Sequence, residues 1–140
     1  MASVRYLLDT NVISELRKRR RSEAVERWVG QLPADGAFVS VITVGEIAKG
    51  IAKRRTSAEA READELQTWL DGLLALYAER VLAIDVPIAA RWGRLCNDHP
   101  ELATDMLLAA TALEHGLTVA TRNVAHFRVA GVPTVNPFTG

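Results

Sequence analysis

The sequence lacks the features of secreted and membrane-bound proteins. It contains one cysteine, Cys96, so no disulfide can form within the chain. Its longest apolar runs, such as residues 73–78, fall far short of the roughly 20 residues that cross a bilayer. The N-terminal segment also has no basic start, apolar middle and small-residue cleavage site. These absences predict a cytoplasmic protein that does not associate with membranes.

An excess of charge of one sign is also missing. The chain has 17 basic and 17 acidic side chains and no formal net charge, so no overall positive field would gather nucleic acid. Any nucleic-acid binding must be local, and two basic clusters offer it, at residues 17–21 and 49–55. Candidate contacts to a nucleic-acid backbone are Arg17, Arg19, Lys49 and Lys53. The alternative for each is an ordinary solvated side chain.

No linker, repeat or low-complexity segment divides the 140 residues. Hydrophobic residues make up 49% and charged residues 24%, which is typical of a globular protein with one core. The sequence therefore predicts one domain that spans residues 1–140.

Short apolar runs alternate with helical patterns along the chain. Buried strands are predicted at residues 4–8, 38–40, 81–84 and 117–120, with 134–135 as a possible fifth. Helices are predicted to begin after Asp9, at Ser22, Thr43, Ser57 and Asp85, and at Ala103 or Thr104, with Gly116 ending the last long one. This order favours an α/β fold whose parallel sheet is covered by helices on both faces.

Three acidic residues are predicted at the carboxyl edge of this sheet, where ligands bind in such folds. Asp9 follows the first strand directly. Glu46 and Asp105 are each predicted in the first turn of a helix that begins at this edge. The three carboxylates would therefore lie close together.

Each acid also has a purely structural interpretation. Asp9 or Asn11 fits a helix N-cap, and Thr43 with Glu46 fits the capping box. Asp105 fits a charge that is stabilised by the helix dipole, an effect of roughly 0.3–1 kcal/mol. Taken singly, none of the three acids is specific, and it is their joint position that points to a functional site.

Carboxylates that cluster repel one another unless a cation lies between them. Mg²⁺ and Mn²⁺ prefer oxygen ligands and complete their coordination with water and substrate phosphates. The cluster is therefore interpreted as a divalent-metal site of Asp9, Glu46 and Asp105, able to activate water for phosphodiester hydrolysis.

Other chemistries have weaker support. The three histidines show no zinc-binding spacing and are predicted to be surface or packed side chains. Cys96 lies inside a predicted helix, and no serine occupies a G-x-S-x-G turn. Gly45 and Gly50 have Walker spacing, but Ile51 and Ala52 replace the residues that bind phosphate and metal. Asn11 stands where an aspartyl phosphatase would have its second aspartate.

Several short motifs together resemble the PIN domain, and within it the VapC and FitB-like toxins. They are Leu8-Asp9-Thr10-Asn11-Val12, Ser40 to Glu46, Asp105 with Leu108-Ala109-Ala110-Thr111-Ala112, and Thr121-Arg122-Asn123. Arg91-Trp92-Gly93-Arg94-Leu95 and Val135-Asn136-Pro137-Phe138 are similar to FitB-like members. The resemblance spans nearly the whole chain.

The resemblance implies a three-layer α/β/α domain with a central parallel sheet of four to five strands. It also implies Mg²⁺- or Mn²⁺-dependent endoribonuclease activity, with Asp9, Glu46 and Asp105 matching the acidic metal ligands. Asn11 and Thr121 match polar residues that support them. The implied partners are RNA, a cognate antitoxin, a second copy of the chain, higher toxin–antitoxin assemblies, and DNA only through the antitoxin.

The sequence departs from the pattern at Asn123, where many PIN domains have a fourth acid. Asn123 can still coordinate a metal ion or donate a hydrogen bond, but it adds no negative charge. A site with one metal ion is therefore favoured over a site with two. Two alternatives stay open. One is a catalytically weak PIN-like scaffold that binds RNA or protein, and the other is a metal-dependent phosphatase.

Overall fold

The computed structural model describes residues 3–139, so the predicted domain limits at residues 1 and 140 lie outside it. Five strands form an all-parallel sheet in the order β3-β2-β1-β4-β5. They are β1 (Tyr6–Leu8), β2 (Ala37–Ser40), β3 (Val81–Leu82), β4 (Thr118–Ala120) and β5 (Thr134–Val135). All five predicted strands are confirmed, although the first and third are two residues shorter than predicted and the fourth is one residue shorter.

Seven α-helices connect and cover these strands within the described residues. They are α1 (Thr10–Leu16), α2 (Glu23–Gly30), α3 (Val41–Arg55), α4 (Ala60–Tyr77), α5 (Val86–Asp98), α6 (Ala103–His115) and α7 (Val124–Arg128). Short 3₁₀ turns occur at Ala78–Arg80, Pro100–Leu102 and Pro137–Thr139. In this part of the chain, no helix has both the length and the apolar character needed to cross a bilayer.

The sheet separates two hydrophobic cores, because successive side chains of a strand point to opposite faces. Leu8 of β1 belongs to the core that is built with residues of α1 to α4. Leu7 belongs to the other core, which includes Met106 of α6 and Phe127 of α7. This arrangement confirms the predicted three layers, with helices on both faces of the sheet.

Most predicted helix starts are confirmed by the caps. The side chains of Ser22 and Asp85 accept hydrogen bonds from the N–H groups of Val25 and Ile88, at 3.3 and 3.0 Å. Helix α6 begins at Ala103 and ends at His115, and the Gly116 cap that follows has the left-handed conformation expected of a glycine at this position.

Two predicted helix starts are wrong. Helix α3 begins at Val41, because Ser40 is its N-cap and accepts from the Ile42 N–H at 3.1 Å. Helix α4 begins at Ala60 and not at Ser57. The Ser57 hydroxyl instead contacts the carbonyl of Arg54 and the N–H of Glu59, which stabilises the turn between α3 and α4.

The sheet order also locates the site. The chain places β2 and β3 on one side of β1 and then β4 on the other, so the order reverses between β1 and β4. In open parallel sheets, ligands bind in the crevice beyond the strand ends at such a point. Asp9 follows β1 and Thr121 follows β4, so these two residues lie at the reversal.

Candidate active site

Asp9 is the most buried acid of the predicted set, with 5% of its surface exposed. As the N-cap of α1 it accepts a hydrogen bond from the Thr10 N–H at 2.7 Å on Oδ1. Its Oδ2 accepts from Thr121 Oγ1 at 2.8 Å and from Asn11 Nδ2 at 3.3 Å. The predicted support by Asn11 and Thr121 therefore takes the form of direct contacts to Asp9.

The electrostatic surroundings of Asp9 disfavour its charge. Burial raises the pKa of Asp9 above its usual value, and the hydrogen bonds from Thr121 and Thr10 lower it only in part. The negative charges of Asp105 and Glu46 raise it further. The structure therefore brings the three acids close enough for their charges to interact across the site.

Glu46 does not have the structural role that its spacing to Thr43 predicts. Because α3 begins at Val41, Glu46 lies in the second turn and not the first, and Thr43 is not the cap. Glu46 Oε1 instead accepts a hydrogen bond from Thr10 Oγ1 at 2.7 Å. The capping-box alternative is therefore wrong, and Glu46 is held by the residue that follows Asp9.

Asp105 lies in the first turn of α6, as predicted, and its side chain is 22% exposed. Its Oδ2 lies 2.9 Å from Nδ1 of His126, on α7. Sequence reasoning missed this residue, since it treated every histidine as a surface or packed side chain. The available signal was position, because a short loop that contains Thr121 and Asn123 connects the end of β4 to the helix of His126.

Asn123 enters the network through its backbone. Its N–H donates to Thr121 Oγ1 at 2.9 Å, and it precedes α7 without a side-chain cap hydrogen bond. The N–H of the preceding residue, Arg122, donates to Asn11 Oδ1 at 3.2 Å. Together with the hydrogen bond from Thr121 to Asp9, this contact joins the segment after β4 to Asp9 and α1, which fixes the floor of the site.

A cleft of about 110 Å³ opens beside Glu46 and Thr10. Arg17 and Arg54 line it, together with Trp69. Arg17 was a predicted RNA contact, whereas Arg19, Lys49 and Lys53 are not among the lining residues. Along α3 the cleft side therefore contains Gly50 and Arg54, at four and eight residues from Glu46, instead of the predicted lysines.

Glu15 holds the turn that contains the basic residues 17–21. It is 7% exposed, and its carboxylate accepts from Lys18 Nζ at 3.0 Å and from the Ser22 N–H at 2.8 Å. These two hydrogen bonds lower the pKa of Glu15 below its usual value. Arg17, which lines the cleft, lies at the start of this turn.

We expect Glu15→Gln to lower the melting temperature at pH 7 by a few degrees, because the amide replaces a charged acceptor. A lowered acid pKa stabilises the fold above the unfolded value and loses that effect as the pH falls through the folded value. The difference in melting temperature between the wild-type protein and Glu15→Gln should therefore disappear at acidic pH. Glu26→Gln, at an exposed ion pair with Arg21, is the control and should change little. A gap that is constant from pH 7 to pH 3 would contradict this assignment.

Comparison with known proteins identifies the fold and the family. The family model described as "PIN domain" matches residues 6–132. This chain belongs to the PIN-domain family. The match includes β1, β4 and all three acids, so the PIN domain contains every residue of the site described above.

This PIN domain is similar to two curated proteins, one named a toxin and one a ribonuclease, over almost its whole length. It is 36% identical to "Toxin FitB" of Neisseria gonorrhoeae over 138 residues, covering 94% of this chain and 97% of the relative. It is 34% identical to "VapC ribonuclease Y4jK" of Sinorhizobium fredii, covering 94% of this chain and 96% of the relative.

Solved structures share the fold of this PIN domain. One is FitAcB from Neisseria gonorrhoeae, with a TM-score of 0.84, 36% identity, and coverage of 95% of this chain and 98% of that one. Another is VapBC-1 from nontypeable Haemophilus influenzae, with a TM-score of 0.68, 26% identity, and coverage of 94% and 97%.

The donors in this site suit a hard divalent cation. Within residues 3–139, no three His, Cys, Asp or Glu side chains form a ready-made ligand cluster. Mg²⁺ does not need one, because it keeps several waters and binds through one or two carboxylates and substrate phosphates. A carboxylate offers about four lone-pair positions, and Asp9 uses three of them in the hydrogen bonds above. Its remaining position fits one ion.

Proposed function

We propose that this PIN domain is a metal-dependent endoribonuclease and the toxin of a toxin–antitoxin pair. The observation that supports this most is the buried Asp9 carboxylate, which faces the charges of Asp105 and Glu46 at the sheet reversal. A buried negative charge beside two others is unfavourable for stability, and a bound cation would offset this repulsion. The ribonuclease and toxin names of its relatives support the same activity.

Asp9 and Asp105 would hold Mg²⁺ or Mn²⁺, with Glu46 as a ligand either directly or through water. The chemistry that such an ion supplies when bound is activation of a water and neutralisation of charge on the departing oxygen. Asn123 contributes no charge to this set, so the proposal is for one ion.

The residues of the chain prepare the site around the scissile phosphate. Thr121, Asn11 and the Thr10 N–H fix the orientation of Asp9. Through its Nδ1, which lies 2.9 Å from Asp105 Oδ2, His126 would hold that carboxylate in place. Glu46 is held through Oε1, which leaves Oε2 to accept a proton from the attacking water.

Arg17 and Arg54 would bind the RNA backbone next to the site, since both line the cleft that contains Glu46. Unpaired RNA is the expected substrate, because its phosphates and bases can enter a narrow cleft. Arg19, Lys49 and Lys53 remain more distant candidates for backbone contacts, on exposed surface.

The proposed protein partners are an antitoxin and a second copy of the chain, in a larger toxin–antitoxin assembly. Support comes from the matched structures, one of which is described as a toxin–antitoxin complex from Klebsiella pneumoniae, with 28% identity and a TM-score of 0.64. Another, with 34% identity, is FitAB bound to a DNA fragment. DNA would be bound through the antitoxin, and the complex would act in the cytoplasm.

Cleavage of a single-stranded RNA by the purified protein tests the proposed activity. We expect cleavage with Mg²⁺ or Mn²⁺ and none with a chelator, and we expect Asp105→Asn to reduce the rate by about 10²–10³-fold, the scale for removing one group that stabilises transition-state charge. Asp35→Asn is the matched control, because Asp35 is exposed just before β2, at the opposite edge of the sheet.

Two results would contradict this proposal. Cleavage that persists in Asp105→Asn and in the chelator would exclude the metal-dependent mechanism. Intact RNA together with rapid turnover of small phosphomonoesters would favour a phosphatase instead.

A further inference from the structure

Three oxygen atoms form a chain that ends at Glu46. Thr10 Oγ1 lies 2.7 Å from Glu46 Oε1 and 3.0 Å from Thr43 Oγ1. Thr10 is the first residue of α1, and Thr43 lies on α3, three residues before Glu46. The contacts therefore join two helices that begin after neighbouring strands.

The direction of these hydrogen bonds follows from their chemistry. A hydroxyl has one proton, and an ionised carboxylate only accepts. Thr10 must therefore donate to Glu46, and the second contact must be donated by Thr43 to Thr10. The chain runs in one direction, from Thr43 through Thr10 to Glu46.

Burial makes this arrangement hard to replace. Thr43 is fully buried, and no buried side-chain nitrogen or oxygen of residues 3–139 lacks a hydrogen-bond partner. Water does not reach Thr43 to compete for its proton. Glu46 is exposed, so its free side chain would sample many rotamers if Thr10 did not hold one oxygen.

We propose that Thr43 and Thr10 are positioning residues that fix the Glu46 carboxylate for catalysis. Thr43 touches neither substrate nor ion and acts through Thr10. Each hydroxyl in such a chain polarises the next, so the bond to Glu46 is stronger than an isolated one. This inference rests on the proposed nuclease function for its kinetic consequence, but its structural part concerns the metal-free protein alone.

Thr43→Val tests the proposal, because valine has the same shape and lacks the hydroxyl. We expect kcat for RNA cleavage to fall by about 10-fold, the lower limit for loss of an outer hydrogen-bond partner in a metal site, with KM for RNA little changed. The Mn²⁺ affinity, measured by electron paramagnetic resonance, should also fall. Thr43→Ser retains the hydroxyl, so its kcat and its Mn²⁺ affinity should be close to those of the wild-type protein.

Two controls separate positioning from general damage to the core. Thr111 is a fully buried threonine on α6 whose hydroxyl donates to the Leu107 carbonyl at 2.8 Å, so Thr111→Val removes a comparable hydroxyl away from the site and should leave kcat unchanged. In a Glu46→Gln background, Thr43→Val should have little further effect, because residues that act through one another are not additive.

A measurement on the chelated protein makes the proposal independent of activity. The ¹³C chemical shift of the Glu46 carboxyl, assigned by its loss in Glu46→Gln, should move in Thr43→Val and return in Thr43→Ser. If the wild-type protein cuts no RNA but this shift behaves as expected, the proposed function fails and the positioning stands. If the shift, the Mn²⁺ affinity and kcat are all unchanged in Thr43→Val, the positioning proposal is wrong.

Discussion

Asp9→Asn is expected to remove RNA cleavage and at the same time to raise the stability of the metal-free protein. The loss of rate should reach at least about 10²–10³-fold, because the charge that would face the ion and the scissile phosphate is gone. The gain in stability should be about 1 kcal/mol, a typical effect for relief of a strained functional site. Both follow from one fact, the burial of a carboxylate beside two others.

The pH dependence gives the sign of the stability effect. An acid whose pKa is raised in the folded state destabilises the fold when it is ionised, and this penalty disappears as the pH falls through the raised value. Thermal unfolding in a chelator should therefore give Asp9→Asn the higher melting temperature at pH 7. The difference should narrow as the pH approaches the unfolded value of 3.8 for Asp9.

The amide also has a cost, because its single oxygen can replace Oδ1 or Oδ2 but not both, so the hydrogen bond from the Thr10 N–H or those from Thr121 and Asn11 are lost. A lower melting temperature for Asp9→Asn at pH 7 would mean that these hydrogen bonds outweigh burial and repulsion. Cleavage at the wild-type rate would remove Asp9 from the mechanism. Asp35→Asn serves as the control for the loss of one charge.

Phe127→Ala is expected to have the largest effect on folding. Phe127 is fully buried in the core that includes Leu7, Met106 and Val119, and truncating such a ring costs about 3–5 kcal/mol. That is a large part of the total for an ordinary domain, roughly 5–15 kcal/mol. Because α7 has only five residues, loss of its one fully buried side chain should also free its neighbour His126 from Asp105.

Urea denaturation measures the first effect, and the Mn²⁺ affinity at low temperature, where the variant is still folded, measures the second. Val129→Ala is the matched control, since Val129 follows α7 directly and is 48% exposed. It should change stability by no more than about 0.5 kcal/mol. If Phe127→Ala lowers the free energy of unfolding by less than about 1 kcal/mol, the core must repack to fill the space left by the ring.

The fold was predicted well where an apolar segment ends abruptly at a polar residue, a capping residue or a glycine. The apolar run of β1 is followed at once by a polar residue, so the pattern located Asp9 at the sheet edge. Thr121 was matched to the end of β4 only through the resemblance to the PIN domain. Gly116 and Ser22 marked helix ends through backbone and cap chemistry that depends on neighbouring residues alone. Local signals of this kind need no knowledge of the rest of the chain.

The error at Glu46 came from two local signals that compete. Both Ser40 and Thr43 can cap a helix, and the glutamate three residues after Thr43 favoured the second. The chain uses Ser40, because β2 ends there and α3 begins without a loop. Only packing against the neighbouring strand decides between the two caps, and this information is not present in a short segment.

His126 could not be assigned from its neighbours in sequence. Its partner Asp105 is 21 residues away on another helix, and the contact depends on how α7 packs against α6. The same limit applies to Thr10 and Thr43, which are 33 residues apart. Long-range contacts between polar residues lack a periodic pattern, so the roles of His126, Thr10 and Thr43 emerged only from the structure.

The position of Asp9 after Leu7 and Leu8 has a genetic consequence. Those two leucines belong to opposite cores, so a packing defect on either face of the sheet can displace the same carboxylate. Selection for loss of activity should therefore recover substitutions scattered through both halves of the molecule, many in proteins that still fold. Suppressors that restore activity should likewise map to either face and not only near the site.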